Sequence, residues 1–183
     1  MSINRYWSWH HQIIIELKYT SMNIPITYIK VNKIGNLSSK WFDSKKLLVT
    51  RISGRVNLSD VLKWENSLNQ ALLEIQDNDI FKIYVNLFGL KAKDVETHKK
   101  FRNIIPVTLS KYGWRVGYLD LFEEANDLKL SYTRGIRCLG AAHVHQDKSK
   151  INKYQFFFEK DNEAYFHNPI LASRWINELK LEQ

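Results

Sequence analysis

Strand-like and helix-like segments alternate between Leu47 and Leu179, and this alternation is the strongest constraint on the fold. Apolar, β-branched runs such as 47–54 and 80–88 read as strands. Between them lie segments whose apolar residues recur every three or four positions, as on one face of a helix. This order is typical of a mainly parallel sheet with right-handed crossovers and flanking helices. The sequence therefore predicts an α/β fold.

An antiparallel hairpin is expected at the amino-terminal side of this sheet. Residues 26–34 and 47–54 would be its two strands, joined by the polar stretch Leu37–Ser44. Further strands are expected at 114–121, in the stretch Cys138–Asp147 that Gly135 introduces, and at 163–167. A kink or two shorter helices are expected around Pro106, because proline removes a helical hydrogen bond.

Helix starts are marked by capping residues at three places. Asn57, Asp147 and Asn168 each precede a helical pattern, and Pro169 follows the last in the preferred order. Two of the predicted helices have the following buried stripes: Ile151, Tyr154, Phe157 and Phe158 in one, and Leu171, Ala172, Trp175, Ile176 and Leu179 in the other. Phe156, Phe157 and Phe158 cannot all face one core, so at least one should be exposed, which makes a homodimer a hypothesis.

The length of the chain predicts one domain with an extension. A chain of 183 residues with 44% hydrophobic residues can bury a sizeable core. We expect residues 22–183 to form that domain and residues 1–21 to be an appended segment or a mis-assigned start, since Met22 offers a second start. The single cysteine, with no apolar run long enough for a membrane span, favours a soluble, cytoplasmic protein.

The net charge of +8 raises nucleic acid as a partner, but the basic residues are spread out. The denser groups are Lys91, Lys93, Lys99, Lys100 and Arg102 in one region, and Lys148, Lys150 and Lys153 in another. Neither group is interleaved with aromatic residues as in a single-strand binding platform. We expect both groups to lie on solvated helix faces, and nucleic-acid binding is an alternative that the pattern does not favour.

Three local stretches resemble the STAS and SpoIIAA-like family, in its branch of small bacterial proteins without assigned activity. They are Leu48–Gly54 before the first helix, Lys82–Leu87 as the central strand, and Ala164–Pro169 leading to Ala172–Ile176. The resemblance covers roughly 47–179. It implies a cytoplasmic module that binds a protein partner or a small ligand.

The segment after the central strand departs from the signalling members of that family. Those members, which resemble anti-sigma-factor antagonists, carry a phosphorylatable serine there, whereas residues 86–94 contain neither serine nor threonine. Asn86 also stands where those members tend to have aspartate. The nearest resemblance is therefore to the branch without the phosphoswitch.

Candidate site residues gather where predicted strands end. His143, His145 and Asp147 alternate after a buried run, and residues two apart in a strand share a face. The carboxyl ends of parallel strands form the usual ligand crevice, so the ligand-binding candidates are Asn86, Asp120, His143, His145 and His167. His143 and His145 are candidate metal ligands if Asp120 or His167 reaches them.

Each of these residues also has a structural explanation. Asp147 fits a helix cap, one of the two histidines fits a hydrogen-bonded residue at a strand end, and His98 fits a core or interface position. Cys138 fits a small buried hydrophobe. No nucleophile elbow or glycine-rich phosphate loop is present, and we expect no cofactor.

Three functional hypotheses follow. The first is a non-enzymatic, STAS-like regulatory module that binds a protein partner or a small or apolar ligand. The second is a metal-dependent, hydrolase-type enzyme that uses His143 and His145. The third is a basic nucleic-acid-binding protein.

Overall fold

A mixed five-stranded sheet organises the protein in a computed structural model that describes residues 36–121 and 128–181. Its strand order is β1-β2-β4-β6-β7, and all neighbours are parallel except β1 and β2. A separate parallel pair is formed by β3 and β5. The strands are β1 (Leu37–Phe42), β2 (Leu47–Ile52), β3 (Gly54–Val56), β4 (Ile80–Asn86), β5 (Leu90–Ala92), β6 (Arg137–Val144) and β7 (Glu163–Phe166). The predicted α/β fold with a mostly parallel sheet and one antiparallel hairpin is confirmed.

The hairpin uses a different first strand from the one predicted. Leu37 pairs with Ile52 and Phe42 with Leu47, so the stretch expected to be a polar connection is itself β1. Its polar residues are satisfied by the neighbouring elements: the Ser39 amide donates to Ser67 Oγ at 2.8 Å, and Ser39 Oγ lies 2.8 Å from Thr50 Oγ1. The predicted strand 26–34 and the predicted extension 1–21 lie outside the described residues.

Within residues 36–121 and 128–181, four α-helices connect or follow the strands: α1 (Leu58–Leu73), α2 (Val95–Ser110), α3 (Lys148–Phe158) and α4 (Pro169–Glu178). The predicted caps are confirmed. Asn57 and Asp60 form a capping box, and the side chains of Asp147 and Asn168 accept hydrogen bonds from amides in the first turns of α3 and α4. Helix α2 continues through the buried Pro106 as one element, so the alternative of two shorter helices is wrong; Ile104, Ile105 and Leu109 nearby are buried in the main core.

Different helices pack against the two faces of the sheet. Trp64 of α1, Phe81 of β4 and Ile105 of α2 belong to the main hydrophobic core. Helix α4 packs against β4, β6 and β7. At its end, Lys82 Nζ donates to the carbonyl oxygen of Leu179 at 2.6 Å, so a buried lysine of β4 satisfies the carboxyl terminus of α4.

Three local predictions are wrong. Residues 114–121 form no strand, since both positions beside β6 are taken by β4 and β7; residues 117–121 instead form a 3₁₀ turn. Phe157 is 61% exposed, because Ile151 and Tyr154 are the buried residues of α3. Leu171 is also exposed, as Ala172 and Ile176 carry the buried face of α4. The expectation that at least one phenylalanine of 156–158 is exposed is confirmed, with Phe156 82% exposed.

None of the helices in the described ranges has the length and apolar character needed to cross a bilayer.

Candidate functional site

A cavity of about 130 Å³ lies where α2, α3 and the carboxyl end of β6 meet. Most of its wall is apolar or aromatic: Leu87, Phe101, Ile105, Tyr118, Val144, Ile151, Tyr154 and Tyr165. The rest of the wall is basic or imidazole: His98, Arg102, His143, His145 and Lys150. An apolar wall with a few converging polar groups is the usual form of a small-molecule site.

His143 sits above a buried carboxylate at the base of this site. Its Nε2 atom lies 3.3 Å from Oε1 of Glu163 but forms no well-aligned hydrogen bond. The same carboxylate accepts hydrogen bonds from the Tyr165 hydroxyl at 2.7 Å and the Gly117 amide at 3.1 Å. Burial disfavours ionisation of Glu163, yet His143, Tyr165 and Gly117 outweigh it and hold the pKa of this carboxyl below its ordinary value.

The position of Gly117 depends on its lacking a side chain. A Cβ atom at this residue would come within 2.9 Å of Phe158 Cβ and 3.1 Å of the Tyr165 hydroxyl. The glycine lets the 3₁₀ turn approach β7 and α3 closely enough for its amide to reach Glu163. This close approach places Tyr118 against the cavity.

Aromatic rings fix the orientation of the His143 imidazole. Tyr165 stacks on it with ring centroids 5.1 Å apart, and Tyr118 meets it edge-on at 5.5 Å. Tyr118 in turn stacks on Tyr154 at 5.2 Å. Burial, followed by the nearby Glu163 charge, raises the pKa of Tyr118 and Tyr165 well above the ordinary value, so both hydroxyls keep their protons.

His145 presents one ring nitrogen to the protein and leaves the other available. Its Nδ1 accepts a hydrogen bond of 3.0 Å from the Asp147 amide, so the proton of the neutral ring lies on Nε2. Burial and the charge of Lys150 lower the pKa of His145, although Asp147 opposes them. The neutral ring is therefore favoured near pH 7, with Nε2–H as a donor.

His98 and Lys150 lie on the basic side of the cavity. Lys150 Nζ lies 5.5 Å from the centre of the Tyr154 ring, a cation–π distance. Burial is the main reason that the pKa of Lys150 is lowered. Burial, Lys150 and Arg102 together lower the pKa of His98. The charges of Lys150 and Arg102 thus disfavour the protonated form of His98.

The structure brings together only some of the predicted site residues. Asn86 pairs in register with Val144, and Val144 with Phe166, so the strand ends do meet at one edge. Asn86 nevertheless uses its side-chain oxygen to accept from the Phe88 amide at 3.0 Å, and His167 is exposed and does not line the cavity. The side chain of Asp120 lies outside what the structure describes. His143 and His145 are the two candidates that share the cavity.

The metal prediction for His143 and His145 lacks a third ligand in the described ranges, where no three His, Cys, Asp or Glu side chains are placed to hold one ion. Asp147 caps α3 instead, accepting from the Lys150 amide at 3.0 Å. Cys138 is buried, as expected for a small hydrophobe, and burial raises the pKa of its thiol.

Three contributors to the site were not predicted. Arg102 and Lys150 were expected on solvated faces, but each shares a helix face with buried residues of the cavity wall, Ile105 and Tyr154 respectively. The spacing of three or four residues was the available signal. Glu163 alternates with Tyr165 in β7, which places both on the face of His143.

Comparisons with models of protein families, with curated proteins and with solved structures find no match for this chain.

Proposed function

We propose that this chain is a binding module for a small, partly apolar ligand, and that the cavity between α2, α3 and β6 is its binding site. The observation that carries the proposal is the composition of the wall, in which aromatic and aliphatic side chains surround a few converging polar groups. A dry cavity of about 150 Å³ is large enough to hold benzene. The volume of about 130 Å³ therefore suits a ring-sized body.

The rigidity of the wall supports binding of a defined ligand. His143, Tyr118, Tyr154 and Tyr165 pack against one another with ring centroids between 5.1 and 6.1 Å apart. Glu163 anchors this cluster from below. A wall that is already ordered loses little conformational entropy when the ligand binds.

A regulatory, non-enzymatic role in the cytoplasm, of the kind that a STAS-like module would have, is part of the same proposal. The alternation of strands and helices with an antiparallel edge supports the STAS-like assignment. A ligand in the cavity would contact α2 and α3 together, so occupancy could be transmitted to a protein partner through the exposed sides of these helices.

The test is a screen of ring-sized compounds by ligand-observed NMR, with a variant that fills the cavity. Leu87 lines the cavity and is only partly buried, so Leu87→Trp should occupy the site without disrupting the core. Leu73→Trp is the matched control, because Leu73 is 62% exposed on α1 and lies outside the cavity.

We expect compounds that bind the wild-type chain and Leu73→Trp to lose binding in Leu87→Trp, with melting curves showing that both variants are folded. Equal binding to Leu87→Trp, or no binding by any compound, would refute the proposal.

A further inference from the structure

We infer that the ligand of this cavity is an organic anion, with its apolar body against the aromatic wall and its carboxylate or phosphate group among His98, His145 and Lys150. This inference rests on the proposed binding function and names the chemical class of the ligand.

The charge of the wall is the first argument. Three histidines, one arginine and one lysine line the cavity, and no Asp or Glu is among the lining residues that the structure describes. Basic groups in a partly buried, apolar setting are stabilised by a nearby negative charge. An anion supplies that charge, whereas a cationic ligand would add to the repulsion.

The contacts of Lys150 are the second argument. In the described ranges its Nζ atom has no hydrogen bond and no ion pair, and the contact that it makes is with the face of the Tyr154 ring. An ammonium group that is partly withdrawn from water in this way retains its capacity to donate three hydrogen bonds. A carboxylate or phosphate beside the ring would accept them.

The hydrogen bonding of His145 is the third argument. Because Nδ1 of the neutral ring accepts from the Asp147 amide, the ring proton lies on Nε2, which is the donor. His145 therefore offers a donor to the cavity and no acceptor. Lys150 is likewise a donor only, so this side of the site matches a ligand group that only accepts.

The lowered pKa values agree with this arrangement: burial lowers the pKa of His98, His145 and Lys150, and the charge of Lys150 lowers it further for the two histidines, while Asp147 partly opposes the shift for His145 and Lys150. A neutral ligand would bury these groups further without supplying a negative charge that stabilises their charged forms. An anion would offset both the burial and the repulsion.

The test compares benzoate, phenyl phosphate and benzamide, which share one ring and differ in the charge of the attached group. Their dissociation constants are measured by NMR titration of the full-length protein. We expect at least one of the two anions to bind about tenfold more tightly than benzamide, as for hydrogen bonds to a charged group. Whichever anion binds more tightly identifies the head group as carboxylate or phosphate.

Substitutions test whether the preference for anions depends on a residue of the cavity wall. Lys150→Met keeps the length of the side chain and should weaken binding of the preferred anion about tenfold, while changing benzamide binding less than about twofold. Lys148→Met is the control, because Lys148 is exposed in the same helical turn and does not line the cavity. Added salt should weaken anion binding and leave benzamide binding nearly unchanged.

Benzamide binding as tightly as either anion, or Lys150→Met retaining the full anion preference, would overturn the inference while leaving the cavity as a ligand site. If neither these probes nor the compounds of the wider screen bind, the proposed function fails and the inference fails with it.

Discussion

The Nε2 atom of His143 lies 3.3 Å from Oε1 of Glu163, and both side chains are buried, at 8% and 0% exposure. The pair lies at the base of the cavity: His143 of β6 lines the cavity, and Glu163 of β7 lies behind His143. The carboxylate also receives hydrogen bonds from Tyr165 and from Gly117. One buried group therefore holds the imidazole, a tyrosine and a 3₁₀ turn in place.

Replacing Glu163 with glutamine should destabilise the protein. The glutamine side chain would keep one oxygen acceptor but would remove the negative charge beside His143, at an expected cost of about 1–3 kcal/mol. Chemical denaturation measures the effect. Glu74→Gln is the control, since Glu74 is exposed after α1 and should change stability by less than about 0.5 kcal/mol. Equal stability of the two variants would show that the charge of Glu163 does not hold the network.

Acid should remove the stabilisation that Glu163 provides. The pKa of this carboxyl is lowered in the folded protein, so its contribution is complete above its unfolded value of about 4.3 and is lost as the pH falls through the folded value. The free energy of unfolding of the wild type should therefore fall more steeply below about pH 4.3 than that of Glu163→Gln. Parallel curves for the two proteins in this range would contradict the assignment.

His98 and His145 should produce a second pH dependence near neutrality. Both pKa values are lowered in the folded protein, so between the folded value and about 6.5 the unfolded chain binds more protons. The free energy of unfolding should consequently fall as the pH drops from about 7 through this interval. The double variant His98→Gln/His145→Asn should show a flatter profile, since the introduced asparagine can still accept from the Asp147 amide. If the free energy of unfolding of the double variant depends on pH as steeply as that of the wild type, these histidines are not the cause.

The hydroxyl group of Thr50 should be required for the full stability of the fold. Thr50 Oγ1 accepts a buried hydrogen bond of 2.7 Å from Trp64 Nε1 and contacts Ser39 Oγ. Thr50→Val keeps the shape but leaves the indole N–H without an acceptor, so we expect a loss of about 1–3 kcal/mol. Thr50→Ser keeps the acceptor and should lose less. Denaturation midpoints measure the stability of the two variants. A Thr50→Val variant as stable as Thr50→Ser would contradict the role of the hydroxyl group.

Capping and periodicity were sufficient to predict the places of the helices and of the parallel strands β2, β4, β6 and β7, but not the short pair β3 and β5. Asn57, Asp147 and Asn168 cap helices as expected, because a cap depends on residues a few positions away. The errors fall where distant residues decide the conformation. Leu37–Phe42 is a strand although it has two serines and a lysine, since Ser67 and Thr50 satisfy its polar groups. Residues 117–121 are a turn because β4 and β7 already flank β6.

The candidate site was predictable only in part. The strand ends of β4, β6 and β7 meet as expected, and His143 and His145 line one cavity. The partners of His143 are Glu163 and Tyr165, which lie twenty or more positions away, so their contact depends on the order of the strands in the sheet. Lys150 and Arg102 carry charges that sequence alone assigns to solvent.

The most direct test of the central claim is a two-dimensional amide NMR titration of the chain with whichever of benzoate and phenyl phosphate binds more tightly. The account predicts that the amides whose signals shift will cluster around the cavity, at Leu87, His98, Arg102, His145 and Lys150, and that Leu87→Trp will abolish the shifts. Shifts centred on the exposed Phe156 and Phe157, or shifts that persist in Leu87→Trp, would show that the ligand binds elsewhere and would contradict the account.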